Sequence, residues 1–282
     1  MERVTGLEHL TMLDIAPPDF VTLAAGAGFG AVGLRISPVT PVEHVWPMSP
    51  GSPMLAETAR RCQGTGVAVL SVEAIAIGPG AGLAGRAPVI ESAAALGARY
   101  LNVICDDPDI SRFADLFAEL TSVALPYGIH PVIEFTAWRP IRTLAAATAV
   151  ARNSAGGRLL LDTLHIRRCG VSAGELASVD PALLSYLQIC DAPLEPPRGL
   201  LALAPRAQLA DRHGYQGIDA VAEARALRML PGEGELPLAE LLAALPDDLP
   251  VSVEAPSLAV RGELTAAGFA TQARRALASL LR

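Results

Sequence analysis

The chain has 282 residues, of which 51% are hydrophobic and 18% charged, with a formal net charge of −7. That is ample material for one large core, and the acidic balance argues against non-specific binding to nucleic acid or to an anionic membrane surface. Cys62, Cys105, Cys169 and Cys190 show no CxxC spacing, the N-terminus MERVTGLEHLTMLD has no basic segment followed by an apolar core, and no apolar stretch reaches the roughly 18 residues of a membrane span, so a soluble, cytoplasmic protein with reduced thiols is expected.

In chain order, short apolar runs predict strands at 7–13, 31–36, 67–75, 99–105, 129–135, 158–162, 184–190 and 250–255. They are nearly continuous in Val, Ile and Leu, the pattern of parallel strands covered on both faces. Between them, Ala- and Leu-rich stretches predict helices at 18–26, 52–64, 88–96, 108–125, 141–153, 172–179, 236–244 and 263–281. Pro18, Pro88 and Pro108 sit near helix starts, and Gly26, Gly64, Gly97 and Gly128 near helix ends. Eight strands alternate with eight helices at close to the ~30-residue spacing of a (β/α)8 TIM barrel. The expected architecture is therefore a single α/β barrel domain over residues 1–282. One interval is longer: 66 residues separate Gln188 from Glu254, which predicts a long loop after the seventh strand, over 193–237. An open doubly wound sheet fits less well, because the glycine-rich GAGFG at 26–30 follows a helical stretch rather than a strand.

Four strands end on metal-capable side chains: Glu134 in PVIEF, Asp162 in RLLLDTLH, Gln188 in YLQICDAP and Glu254 in PVSVEAP. An isolated acid at a strand end is more often a helix cap or an ion-pair partner. Four on consecutive strands, each following buried apolar residues, call for a common compensator, because burying unpaired carboxylates costs several kcal/mol or more. Three carboxylates and an amide form an all-oxygen set that suits Mn2+ or Mg2+ better than Zn2+.

The runs IEFTAW, LLLDTLH, LQICDAP and VSVEAP make the chain similar to the sugar phosphate isomerase/epimerase superfamily, the xylose isomerase-like TIM barrels. The resemblance implies that Glu134, Asp162, Gln188 and Glu254 hold a divalent metal. It also implies that His165, three residues after Asp162, contacts substrate near that metal. The third ligand is His in many epimerases of the superfamily; here it is Gln188, as in some members that include certain dehydratases.

Other residues carry two readings each. Glu73 binds a substrate hydroxyl or pairs with Arg35. Asp191 orients a ligand from behind or caps the turn before Pro193. Arg198 and Arg228, in the long loop, bind an anionic substrate group or lie on the surface. Gly232 and Gly234 let the backbone approach a ligand or form a turn. Trp138 walls the pocket or packs beneath a loop. His9 and His130, nearer strand starts, read as structural. The expected activity is a metal-dependent isomerase or epimerase acting on a small carbohydrate-like substrate, with Glu134 and Glu254 as proton carriers assisted by His165. Dehydration of a keto-polyol at the same site, as in inosose or dehydroshikimate dehydratases, is the main alternative; an abasic-site endonuclease and an inactive ligand-binding barrel are further ones. No nucleic-acid or membrane partner is expected, and homo-oligomerisation is left open.

Overall fold

The computed structural model describes residues 3–39, 43–83, 85–200 and 219–282. Eight strands, β1 (Thr5–Glu8), β2 (Ala31–Arg35), β3 (Ala68–Ile77), β4 (Tyr100–Cys105), β5 (His130–Glu134), β6 (Arg158–Asp162), β7 (Leu184–Ile189) and β8 (Val251–Val253), pair in parallel and in sequence order. β1 also pairs with β8, which closes the barrel. The main helices are α1 (Pro17–Ala27), α2 (Pro53–Thr65), α3 (Ala87–Ala95), α4 (Ile110–Ala124), α5 (Leu144–Arg152), α6 (Thr163–Arg168), α7 (Ala173–Ala177), α8 (Asp219–Ala226), α9 (Leu238–Ala243), α10 (Leu258–Glu263) and α11 (Ala266–Leu280). No helix among the described residues is long and apolar enough to cross a membrane.

Side chains alternate across each strand, and here the alternation separates two cores. Residues such as Val32, Leu101, Ile133, Leu161, Leu187 and Val253 belong to the large outer core shared with the helices. The other set, Ala31, Leu70, Tyr100, Val132, Leu160 and Tyr186, packs as a separate cluster that plugs the barrel interior. Tyr100 and Tyr186 stack within it, with centroids 5.5 Å apart. Burying each large apolar side chain of this plug contributes about 1.5–3 kcal/mol. One pleat further along, on the same interior face, stand Asn102, Glu134, Asp162 and Gln188, all buried. The strand-end polar residues are thus the next interior layer above an apolar floor.

The first strand differs from its expected span. β1 ends at Glu8, and residues 9–12 form a turn of 3-10 helix. A short apolar run does not by itself distinguish strand from helix. The turn is fixed by polar contacts: Thr11 Oγ1 accepts from the Ala255 amide at 3.1 Å, and His9 Nε2 lies 2.8 Å from the Ile15 carbonyl. His9 therefore lies just past the C-terminal end of β1, not near a strand start. His130 does start its strand, with Nδ1 2.9 Å from the Gly156 carbonyl. α1 and α2 run further than expected, so Gly28 and Gly66, rather than Gly26 and Gly64, take the left-handed cap positions. α6, α8 and α10 were not expected. Of the long loop anticipated at 193–237, α8 and the segment after it are ordered against the barrel, and 201–218 lies outside the described residues.

Glycine on the β1–β2 wall makes room for charge. A Cβ at Gly33 would collide with the Glu8 carboxylate and lie 2.6 Å from Ser71 Oγ. Gly33→Ala is therefore expected to lower unfolding stability by about 1–3 kcal/mol in urea denaturation. In a Glu8→Ala background the same change should cost much less; equal losses in both backgrounds would show that the two side chains do not compete for this space.

Candidate active site

Each site residue is positioned by its strand. Glu134 closes β5, Asp162 closes β6, Gln188 lies beside Asp162 on β7, and Glu254 follows β8 directly. All four are buried. Asp162 is also the N-cap of α6: its Oδ1 accepts from the His165 amide at 3.0 Å. The ordinary role of an acid at a strand end and its placement at the site coincide in this residue, because the cap fixes His165 one helical turn above the carboxylate.

The carboxylates form two groups. Glu134 and Asp162 converge with His165, each offering a ligand atom within 4.8 Å of the others; Glu8, Glu73 and Glu254 form a second such group. Arg228 joins them. Its Nη1 lies 2.5 Å from Asp162 Oδ2 and its Nη2 3.0 Å from Glu254 Oε2, with the residue 2% exposed. Gln188 Nε2 donates to Glu254 Oε1 at 3.1 Å and, more weakly, to Glu73 Oε1 at 3.4 Å. Gln188 Oε1 is buried and has no hydrogen-bond partner among the described residues.

Electrostatics follow from this layout. Burial, then the charge of Asp162, pushes Glu134 up to about 8, against the opposing pull of Arg228. Burial also raises Glu254 well above the usual carboxylate range despite Arg228, with Glu73, Asp162 and Glu134 adding to the effect. Burial opposes ionisation of Asp162 too, but Arg228 and His165 outweigh it and hold that carboxyl low. Burial lowers His165 to about 4. The imidazole is thus neutral at pH 7, and its 3.7 Å approach to Glu134 is neither an ion pair nor a direct hydrogen bond. Its Nδ1 has no partner, and Trp138 stands edge-on to the ring at 5.1 Å.

Glu134, Asp162 and His165 form one cluster that could hold a cation, Arg228 stands between it and Glu254 of the second cluster, and the buried amide oxygen of Gln188 is a hard donor with no hydrogen-bond partner among the described residues.

A cavity of about 50 Å³ opens here, lined among others by Glu73, Glu134, Trp138, His165, Arg228 and Glu254. It shares Leu10, Glu43 and Arg225 with a neighbouring cavity of about 440 Å³. Of the expected residues, Glu73, Glu134, Trp138, His165, Arg228 and Glu254 line this cavity, Asp162 and Gln188 are buried behind the lining, and Arg198 is exposed and outside it, on the stretch leading away from β7. Glu73 both lines the cavity and pairs with Arg35 at 3.2 Å. Asp191 neither faces the cavity nor touches a ligand-capable residue. It folds the following segment, accepting from the amides of Gly232 and Leu236, each at 2.9 Å. A Cβ at Gly234 would come 2.5 Å from Asp191 Oδ1, so that glycine serves a close approach within the protein.

Sequence reading passed over Asn102, Arg139 and Glu8. Asn102 and Arg139 line the cavity, Arg139 paired with Asp106. Glu8 accepts from Ser71 Oγ at 3.3 Å beneath it. The signal for Asn102 was present: it stands two residues after Tyr100 on the same interior face.

No family model and no curated protein matches the chain. Solved structures do. A xylose isomerase-like TIM barrel/4-hydroxyphenylpyruvate dioxygenase fusion protein matches with a TM-score of 0.77 at 17% identity, over 99% of this chain and 43% of that one, so the chain spans less than half of the fusion. The IOLI protein with a binding zinc atom matches at 0.72 and 18%, over 100% and 98%. D-psicose 3-epimerase, in the presence of D-fructose, matches at 0.69 and 16%, over 100% and 99%. The structural neighbours are thus xylose isomerase-like TIM barrels, and the fold is theirs.

Glu134 binds its proton more tightly in the folded than in the unfolded chain. Its stabilising contribution is present below its ordinary value of 4.5 and is lost as pH rises through about 8. His165 acts in the opposite sense, but only below its ordinary value of 6.5. In chelator-treated protein, raising the pH from about 6.5 to 8 should cost the native chain about 1–2 kcal/mol more than it costs Glu134→Gln. Parallel stability curves for the two in urea would show that Glu134 is already ionised at pH 6.5.

Proposed function

We propose that this chain is a divalent-metal-dependent enzyme that removes a proton α to the carbonyl of a small, carbohydrate-like substrate, as an isomerase or epimerase. The observation that carries the reading is the convergence of Glu134, Asp162 and His165 beside the cavity, with Glu134 and His165 in its lining. A general base has to stand within reach of the proton it takes, and Glu134 faces the space a substrate would fill. Glu134, Asp162, Gln188 Oε1 and Glu254 would hold the cation, with Mn2+ or Mg2+ suited to this all-oxygen set. When bound, the cation supplies positive charge for the oxyanion that develops on the substrate as the proton leaves.

The remaining work belongs to the chain. Glu134 takes the α-proton; isomerisation follows when it returns the proton to the neighbouring carbon, and epimerisation when Glu254 delivers one from the other face. His165, anchored by the Asp162 cap, presents an uncharged imidazole that can donate to a substrate oxygen. Trp138 fixes the plane of that ring and excludes water from one side. Arg228 and Glu73 offer donor and acceptor to substrate hydroxyls at the opposite wall.

Dehydration is a second reading with an observation of its own. Glu254 is clamped by Arg228 and Gln188, whereas Glu134 and His165 stand together. An epimerase needs proton carriers on both faces of the substrate. A base and an acid on one side suit elimination of water after α-proton abstraction.

Both reactions pass through the same first step. A panel of keto-polyols in D2O should show deuterium entering the α position of a substrate, with at least a hundredfold loss in Glu134→Gln and loss of bound metal in Asp162→Ala. Mass spectrometry then separates the readings: a product of unchanged formula supports isomerisation, and one lighter by a water supports dehydration. Undiminished exchange in Glu134→Gln would remove that residue from the proton-carrying role.

A further inference from the structure

We infer that Arg228 is an internal counter-ion that competes with the divalent cation for Asp162 and Glu254, and so sets the metal affinity of the site. This rests on the metal-dependent reading above. The guanidinium spans two strand ends, contacting Asp162 Oδ2 at 2.5 Å and Glu254 Oε2 at 3.0 Å, and these are carboxylates that would ligate the cation. The contact is built rather than incidental. Arg228 is 2% exposed, its Nε donates to the Ala224 carbonyl at 2.7 Å, its Nη1 reaches the Glu254 carbonyl at 3.3 Å, and its backbone amide donates to the Pro256 carbonyl at 3.0 Å. The segment that carries it is itself tied down: Glu223 on α8 takes Arg168 of α6 at 2.6 Å, with both side chains buried.

Without a cation, Arg228 supplies the buried partner charge for Asp162 and Glu254. With a dication among the same carboxylates, a guanidinium and a metal ion would face each other across one layer of oxygens, and their repulsion in this poorly solvated interior is substantial. Metal entry therefore has to loosen the guanidinium from at least one carboxylate. The guanidinium already borders open space, since Arg228 lines the cavity of about 50 Å³ beside Glu134 and Glu254. The consequence is a site whose ligands are paired before the metal arrives and whose metal affinity is weaker than its three carboxylates would give alone.

The inference has a sign that a merely structural arginine would not give. Removing a residue that only holds ligands in place scatters them and weakens metal binding; removing a competitor tightens it. Chelator-treated full-length protein is titrated with Mn2+ alone by calorimetry, and its thermal unfolding is followed without metal. Arg228→Gln should bind Mn2+ at least tenfold more tightly than the native chain while unfolding at a lower temperature in the metal-free state. Arg228→Lys, which keeps the charge but not the two-carboxylate span, should fall between the two in affinity and keeps the test available if the glutamine variant does not fold. Equal or weaker Mn2+ binding in the variants, or an unchanged metal-free unfolding temperature, would overturn the counter-ion role and leave the metal reading standing. Absence of Mn2+ binding in native and variant chains alike would overturn both.

Discussion

The Arg228 guanidinium lies between the Asp162 and Glu254 carboxylates, and the upper half of the barrel is organised around that contact. A parallel barrel gathers the ends of eight strands at one mouth, and here five interior side chains close to that mouth are carboxylates: Glu8, Glu73, Glu134, Asp162 and Glu254. Such a layer is tolerable only if each charge is paired, protonated or offered to an ion. All three solutions are visible. Arg35 pairs with Glu73 and Arg228 with Asp162, Glu8 and Glu134 hold protons well above the ordinary range, and Gln188 keeps an oxygen free. The ionisation state of any one member depends on its neighbours, so the layer titrates as a group.

The apolar plug beneath explains why this charge stays at the mouth. Tyr100, Leu160, Tyr186 and their neighbours fill the interior below, so water does not reach the carboxyls from that side. Their proton affinities are accordingly set by burial first and by partners second. Above, α6 and α8 are locked by the buried Arg168–Glu223 pair, which ties the helix bearing His165 to the helix before Arg228. The two sides of the cavity are thereby held in register by one contact outside it.

Much of this could be read from the sequence, for a physical reason. Strands buried on both faces must be apolar throughout, so a polar residue near a strand end stands out, and Glu134, Asp162, Gln188 and Glu254 did. His165 stands out through the family resemblance of DTLH, and the cap that fixes it on Asp162 is visible only in the structure. What could not be read depends on distance along the chain and on side-chain direction. Arg228 and Arg198 were equivalent as loop arginines; only the bridge between Asp191 and Met229 and the packing of α8 bring one inward and leave the other in solvent. Glu8 was concealed because β1 ends early, in a run whose apolar residues continue into a helical turn.

The interior wall is lopsided. Gly6, Ala31 and Gly33 occupy the β1–β2 side, whereas β4 and β7 carry the tyrosines, and the Glu8 side chain fills the room beside Gly33. That hollow adjoins Glu73, which lines the cavity. Shortening the side chain at position 8 would therefore extend the cavity downward along the β1–β2 wall, into room that the missing Cβ of Gly33 leaves open.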